Sequence, residues 1–229
     1  MSRRRSPNAD ERPDGVPVDT LILHYTGMPT AAAALGRLCD PAAKVSAHYL
    51  IDEDGTLTAL VPEEQRAWHA GASAWAGATG LNDRSIGIEL VNPGHEWGYR
   101  PFTEAQYAAC IGLCRGILGR WPIPPRRVLA HSDVAPERKQ DPGELFDWPR
   151  LAAAGIGLWP GDGAGAERTV AELQSDLARV GYAAPRHGRL DEATRLVIEA
   201  FQRHFRPERV DGRADLGTRA RLDGLLALL

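Results

Sequence analysis

Two short apolar runs in this 229-residue chain stop at a histidine. Leu21-Ile22-Leu23 leads into His24, and Val128-Leu129-Ala130 leads into His131. Apolar runs of this length read as buried strands. In open α/β sheets, ligands collect at the carboxyl ends of strands. If the two strands are neighbours, both imidazoles face one crevice. The segment from His131 to Gly143 adds Lys139 and Asp141, and is stiffened and turned by Pro136 and Pro142-Gly143. A stiff loop carrying ligand-type side chains suits a metal better than it suits a core.

The rest of the first part alternates strands with helices. Residues 19–26 read as a strand, and Thr30 caps a short helix over 31–38. Residues 46–51 and 56–60 form a hairpin around Asp52–Gly55. Residues 85–91 read as a buried strand with Glu89 near its end. Thr103 caps a long helix, with Glu104 in its first turn and Ile111, Leu113, Ile117 and Leu118 facing inward. The fold class is therefore α/β: a mixed central β-sheet flanked by helices. Residues 1–16 are polar and Pro-rich, and are expected to be a disordered tail.

From Gly155 onward glycines cluster, and residues 161–167 read as a flexible linker. Residues 168–229 then show helical spacing and an internal echo. Gly188-Arg189-Leu190-Asp191 with Thr194-Arg195 is repeated as Gly212-Arg213-Ala214-Asp215 with Thr218-Arg219. In each copy Asp is an N-cap and Thr follows three residues later. This predicts a small C-terminal three-helix bundle, separate from a domain over residues 17–160.

The formal net charge is −3, which gives no basic face for nucleic acid. No stretch approaches the roughly 20 apolar residues of a membrane span. The basic start, Ser2-Arg3-Arg4-Arg5, is not followed by an apolar segment of the kind a secretory signal carries, so a cytoplasmic enzyme is the expectation, with the periplasm as alternative. Three cysteines without CxxC spacing argue against a disulfide framework or a thiolate zinc site. Cys110 and Cys114 are expected to face one core together.

Two histidines and one carboxylate leave a fourth position open, the pattern of a catalytic zinc site. His24, His131 and Asp141 are the candidate ligands. Glu89 is placed to move a proton, and Lys139 to face a developing oxyanion. His48 and His69 are further candidates, read as packing in the hairpin and lining the cleft. His95, His187 and His204 read as surface or bundle positions.

Five blocks in order carry a resemblance: Leu23-His24-Tyr25-Thr26, Ser46–Ile51, Ala67-Trp68-His69-Ala70-Gly71, Asn82–Glu89, and Ala130–Asp133 continuing through Lys139–Gly143. Together they resemble the zinc N-acetylmuramoyl-L-alanine amidases of the amidase-2 family, whose fold is shared with peptidoglycan recognition proteins. The resemblance implies one Zn2+ per chain on His24, His131 and Asp141, with Glu89 and Lys139 as catalytic groups. It makes Tyr25, Trp68, His69 and Asn82 candidates for substrate contact. It implies cleavage of the amide between N-acetylmuramic acid, or its 1,6-anhydro form, and the L-alanine of the stem peptide. Residues 168–229 are similar to a small peptidoglycan-binding domain, so muropeptides and polymeric peptidoglycan are the expected partners. Two other readings are a muropeptide-binding module that does not cut, and a zinc peptidase acting within the stem peptide.

Overall fold

The computed structural model describes residues 2–229. The first part contains, in chain order, β1 (Ser2–Arg3), β2 (Ala9–Glu11), β3 (Thr20–Tyr25), α1 (Ala31–Leu38), β4 (Tyr49–Ile51), β5 (Leu57–Ala59), β6 (Gln65–Ala67), β7 (Ala74–Trp75), β8 (Ala78–Thr79), β9 (Ser85–Leu90), α2 (Gly94–Trp97), α3 (Glu104–Arg120), β10 (Val128–Ala130), α4 (His131–Val134) and α5 (Trp148–Ala153). Three helices follow: α6 (Val170–Val180), α7 (Glu192–Phe205) and α8 (Leu216–Leu226).

The main sheet has six strands in the order β1-β5-β4-β9-β3-β10. The run β4, β9, β3, β10 is parallel, while β5 pairs antiparallel with β4 and parallel with β1. The expected mixed sheet is therefore present, and the two histidine-ending strands are direct neighbours.

Alternation along the strands sorts the two faces. Leu21 and Leu23 of β3, with Ile86, Ile88 and Leu90 of β9, pack with Tyr107, Cys110, Cys114 and Ile117 of α3. Each such side chain contributes about 2 kcal/mol when fully buried. Ile22 and Leu129 point the other way and join the C-terminal helices. His24 lies two residues beyond Ile22 and so shares this second face.

Helix α3 begins as expected, with a reciprocal capping box between Thr103 and Gln106. Its buried stripe is as expected at Cys110, Cys114 and Ile117 and is corrected at three other positions. Gln106, Tyr107, Cys110, Cys114 and Ile117 are buried, whereas Ile111, Leu113 and Leu118 flank the core half-exposed. The i, i+3, i+7 spacing centres on the two cysteines, whose small apolar bodies let the helix approach the sheet.

The tail over residues 1–16 is also corrected; Met1 lies outside the described residues. Strand β1 adds to the sheet edge beside β5, and β2 pairs antiparallel with β6. The anchoring is polar, which is why composition hides it. Ser6 Oγ donates to the Leu38 carbonyl at 2.5 Å, and Asn8 Nδ2 donates to the carbonyls of Asp40 and Val45 at 2.8 Å. The Arg12 guanidinium donates to the carbonyls of Glu63, Asn82, Asp83 and Ser85.

The three-helix bundle forms with both repeat motifs as read. Asp191 and Asp215 accept from the backbone N–H of Thr194 and Thr218, each at 3.0 Å. Two buried glutamines clamp the repeats. Gln174 takes the Gly188 N–H and donates to Arg189 O and Thr194 Oγ1; Gln202 does the same with Gly212, Arg213 and Thr218.

The bundle is not held at a distance. Ile22, Trp75, Leu129 and Val134 form one buried cluster with Leu173, Leu177, Phe201 and Leu222. The glycine-rich segment is fastened to α8 through Gly163 N–H to Ala220 O and Ala166 N–H to Asp223 Oδ2. A Cβ at Gly224 would sit 1.8 Å from the Gly161 carbonyl oxygen, so this close approach needs glycine.

Candidate metal centre

Register places the candidates side by side. Leu23 pairs with Ala130, which puts His131 next to His24, and His24 pairs with Glu89 on the opposite flank. Asp141 returns through the loop after α4, where Ser132 N–H donates to the Asp141 carbonyl at 3.0 Å. His24 Nδ1 and His131 Nδ1 are 2.9 Å apart, and each lies 3.0 Å from Asp141 Oδ2. All three residues are buried, with 1%, 3% and 5% exposure, which rules out casual surface proximity.

The hydrogen bonds behind the rings decide which nitrogens face inward. His131 Nε2 lies 3.2 Å from the Ala70 carbonyl, which can only accept, so Nε2 carries the proton. On the other ring the relay is longer. Ser85 Oγ–H donates to Leu81 O at 2.6 Å, so Ser85 Oγ accepts from His69 Nε2–H at 3.2 Å. His69 is neutral, since burial and then the neighbouring His24, His48 and His131 hold it well below the usual imidazole range. Its Nδ1 therefore accepts from His24 Nε2–H at 3.0 Å. Burial, then His131, lowers His24 to about 4, so this ring too is neutral at pH 7. Burial works against ionisation of Asp141, but the adjoining His131, and then His24, outweigh it and keep its carboxyl well below the usual range.

Two imidazole lone pairs and a carboxylate oxygen thus converge on one point. Ligand atoms on a tetrahedral zinc lie about 3.3 Å apart, so the donor set and spacing fit such an ion. The second-layer hydrogen bonds are of the kind that orient metal-bound imidazoles.

A cleft of about 400 Å³ opens over the cluster, walled by Tyr25, Trp68, His69, Glu89, Lys139 and Asp141 among others. Glu89 Oε2 is buried without a hydrogen-bond partner. Burial and then Asp141 push its carboxyl well above the usual range, opposed by Lys139. Tyr25 is oriented by His95, 2.9 Å from its hydroxyl, which in turn meets Glu144 at 3.2 Å. Trp68 Nε1 donates to Asp10 of the N-terminal segment.

Asn82 is used differently from the expectation. It is absent from the cleft wall, and its Oδ1 accepts the backbone N–H groups of His69 and Ala70 at 3.0 and 2.7 Å. It holds the loop that positions His69. His48 is fully buried, accepting from Gly87 N–H and donating to Gln65 O, as a hairpin histidine would. His204 is not a simple bundle residue: it meets Asp133 of the first domain.

Sequence reasoning missed three supports. Gly87 leaves room for the His69 ring, since a Cβ there would lie 2.4 Å from it; a glycine inside the Ile86–Ile88 strand run was its signal. Ser85 starts the relay to His24. Arg138 donates to the carbonyls of Ala70 and Ala72, pinning the loop behind His131.

The family model for N-acetylmuramoyl-L-alanine amidase matches residues 14–144, more than half of the chain. The chain belongs to this family. A second family model, for a putative peptidoglycan-binding domain, matches residues 167–222. The amidase is 41% identical to N-acetylmuramoyl-L-alanine amidase AmiD of Escherichia coli over 91% of this chain and 82% of that protein. The structure of Escherichia coli AmiD in complex with anhydro-N-acetylmuramic acid-L-Ala-D-gamma-Glu-L-Lys superposes with a TM-score of 0.83 at 39% identity, covering 96% of this chain and 93% of that one. Pseudomonas aeruginosa AmpDh3 in complex with anhydromuramic pentapeptide gives a TM-score of 0.85 at 35% identity, covering 98% of both chains. In the amidase, both matched domains fall within the superposed length.

Proposed function

We propose that this amidase holds one zinc ion on His24, His131 and Asp141 and hydrolyses the amide between N-acetylmuramic acid, its 1,6-anhydro form included, and the L-alanine of the stem peptide. The observation that carries the reading is the convergence of three acceptor atoms, each about 3 Å from the next, beneath a cleft in which the buried Glu89 Oε2 has no hydrogen-bond partner. The anhydromuramyl-peptide complexes of AmiD and AmpDh3 support the substrate class.

Bound there, zinc would supply Lewis acidity and lower the pKa of water toward 7. Glu89 takes the proton from the attacking water and later delivers it to the departing amine of L-alanine. Its raised affinity for a proton suits both transfers. Lys139 faces the negative charge that develops on the attacked carbonyl oxygen. Tyr25 and Trp68 supply the aromatic wall for the sugar-peptide. The helical domain offers a second contact for polymeric peptidoglycan.

The test combines metal analysis of the purified protein with mass spectrometry of an anhydromuramyl-tripeptide digest, with and without chelator. Free tripeptide and anhydromuramic acid, formed only without chelator, are the expected products. Cuts inside the peptide would identify a peptidase, and an intact substrate would identify a binding module.

A further inference from the structure

The one-turn helix α4 starts with the ligand His131 and carries Asp133, which is 1% exposed. Three donors surround this carboxylate. Ala130 N–H reaches Oδ2 at 2.8 Å from the end of β10. The other two come from the C-terminal domain: Tyr182 Oη–H reaches Oδ1 at 2.6 Å, and His204 Nδ1–H reaches Oδ2 at 2.6 Å. His204 is stacked on Trp148 of α5, with ring centroids 3.8 Å apart, and Tyr182 packs edge-on to Trp75 at 4.9 Å.

A single helical turn cannot hold its own geometry, because nucleation is unfavourable without tertiary contacts. Helix α4 gets those contacts from the bundle. Val134 is buried among bundle side chains, and Asp133 is gripped by two bundle donors. Ser132 N–H ties the same turn to the Asp141 carbonyl, so whatever fixes α4 fixes two of the three ligands. A buried carboxylate that loses donors costs more than an ordinary hydrogen bond, which makes the contact stringent.

We propose that Tyr182 and His204 are positioning residues of the metal centre. Acting through Asp133, they make the C-terminal domain a working part of the metal site in addition to any hold it has on peptidoglycan. The proposal rests on the zinc reading above. It predicts that metal retention, and not only wall attachment, depends on the bundle.

The experiment uses full-length protein. Wild type, the double variant Tyr182→Phe/His204→Phe and the control Leu222→Ala are titrated with zinc against a chromophoric chelator, at a temperature where circular dichroism shows all three folded. The phenylalanines keep the ring packing and delete both donors. Leu222 is buried in the bundle and makes no hydrogen bond to Asp133. The expected result is one zinc per wild-type chain, a loss of affinity on the order of tenfold in the double variant, and wild-type affinity in Leu222→Ala. Equal affinity in wild type and the double variant overturns the coupling while leaving the zinc reading intact. An equal loss in Leu222→Ala also overturns it, by reducing the effect to general stability. A wild type that takes up no zinc overturns both readings together.

Discussion

His24 and Glu89 occupy paired positions on neighbouring parallel strands, so that the imidazole and the carboxyl emerge side by side on the same face of the sheet. The pairing sets the distance between a proposed metal ligand and the acid beside it by backbone register, not by loop conformation. A pair of functional side chains built on strands is held more rigidly than one built on loops.

Replacing Glu89 with glutamine preserves shape and removes proton transfer. Turnover on an anhydromuramyl-peptide is expected to fall by about 10²–10⁴-fold with zinc content unchanged. Metal analysis and rate measured on one sample check this; full turnover in that variant would remove Glu89 from the mechanism.

The same substitution should stabilise the metal-stripped protein. Glu89 has a raised pKa in the folded chain, while the unfolded chain releases the proton near pH 4.3, roughly the ordinary glutamate value. Wild type therefore loses stability as pH rises from that value through the raised one. Melting temperatures of Glu89→Gln and wild type should coincide near pH 4 and separate, with the variant higher, towards neutral pH.

Gly87→Ala drives a methyl into the His69 ring, 2.4 Å from its nearest atom. The ring must move, and with it the partner of His24 Nε2. A cost of about 1–3 kcal/mol in unfolding free energy is expected. Zinc affinity should fall about 10–100-fold, read by chelator competition.

Arg12→Ala removes the donor shared by four main-chain carbonyls. Urea unfolding should show a loss of about 3 kcal/mol. The folded fraction should keep its turnover number, because Arg12 is not among the residues that wall the cleft.

Stripping the metal removes a ligand that binds only the folded chain. At a free zinc concentration of about 1,000 times Kd, the difference should be about 4 kcal/mol of stability, visible as a drop in melting temperature on chelation and its return on adding zinc.

Much of this was legible in the residues. The strand ends at His24 and His131 and the caps at Thr103, Asp191 and Asp215 follow from local rules, and the structure carries each of them. What escaped depends on partners distant in sequence. Nothing near Ser6, Asn8 or Arg12 signals the carbonyls they serve, which lie more than 30 residues away. The resemblance makes Asn82 a candidate substrate contact, and nothing local in the sequence shows that its amide serves the main chain of residues 69 and 70. His204 sits in an apolar stripe where a bundle position is the natural reading; its partner Asp133 is 71 residues upstream. On α3 the pairing of Cys110 with Cys114 and the inward Ile117 were legible, whereas Ile111, Leu113 and Leu118 lie off the 107, 110, 114, 117 spacing and only flank the core.

The two imidazoles at the centre differ in how their protons are dictated. His131 answers to a peptide oxygen at position 70, which every amino acid supplies, so its ligating nitrogen is insulated from sequence drift there. His24 answers to the same kind of oxygen at position 81, but only through the side chains of His69 and Ser85. Evolution can retune one arm of the proposed metal grip by changing single codons, while the other is written into the main chain.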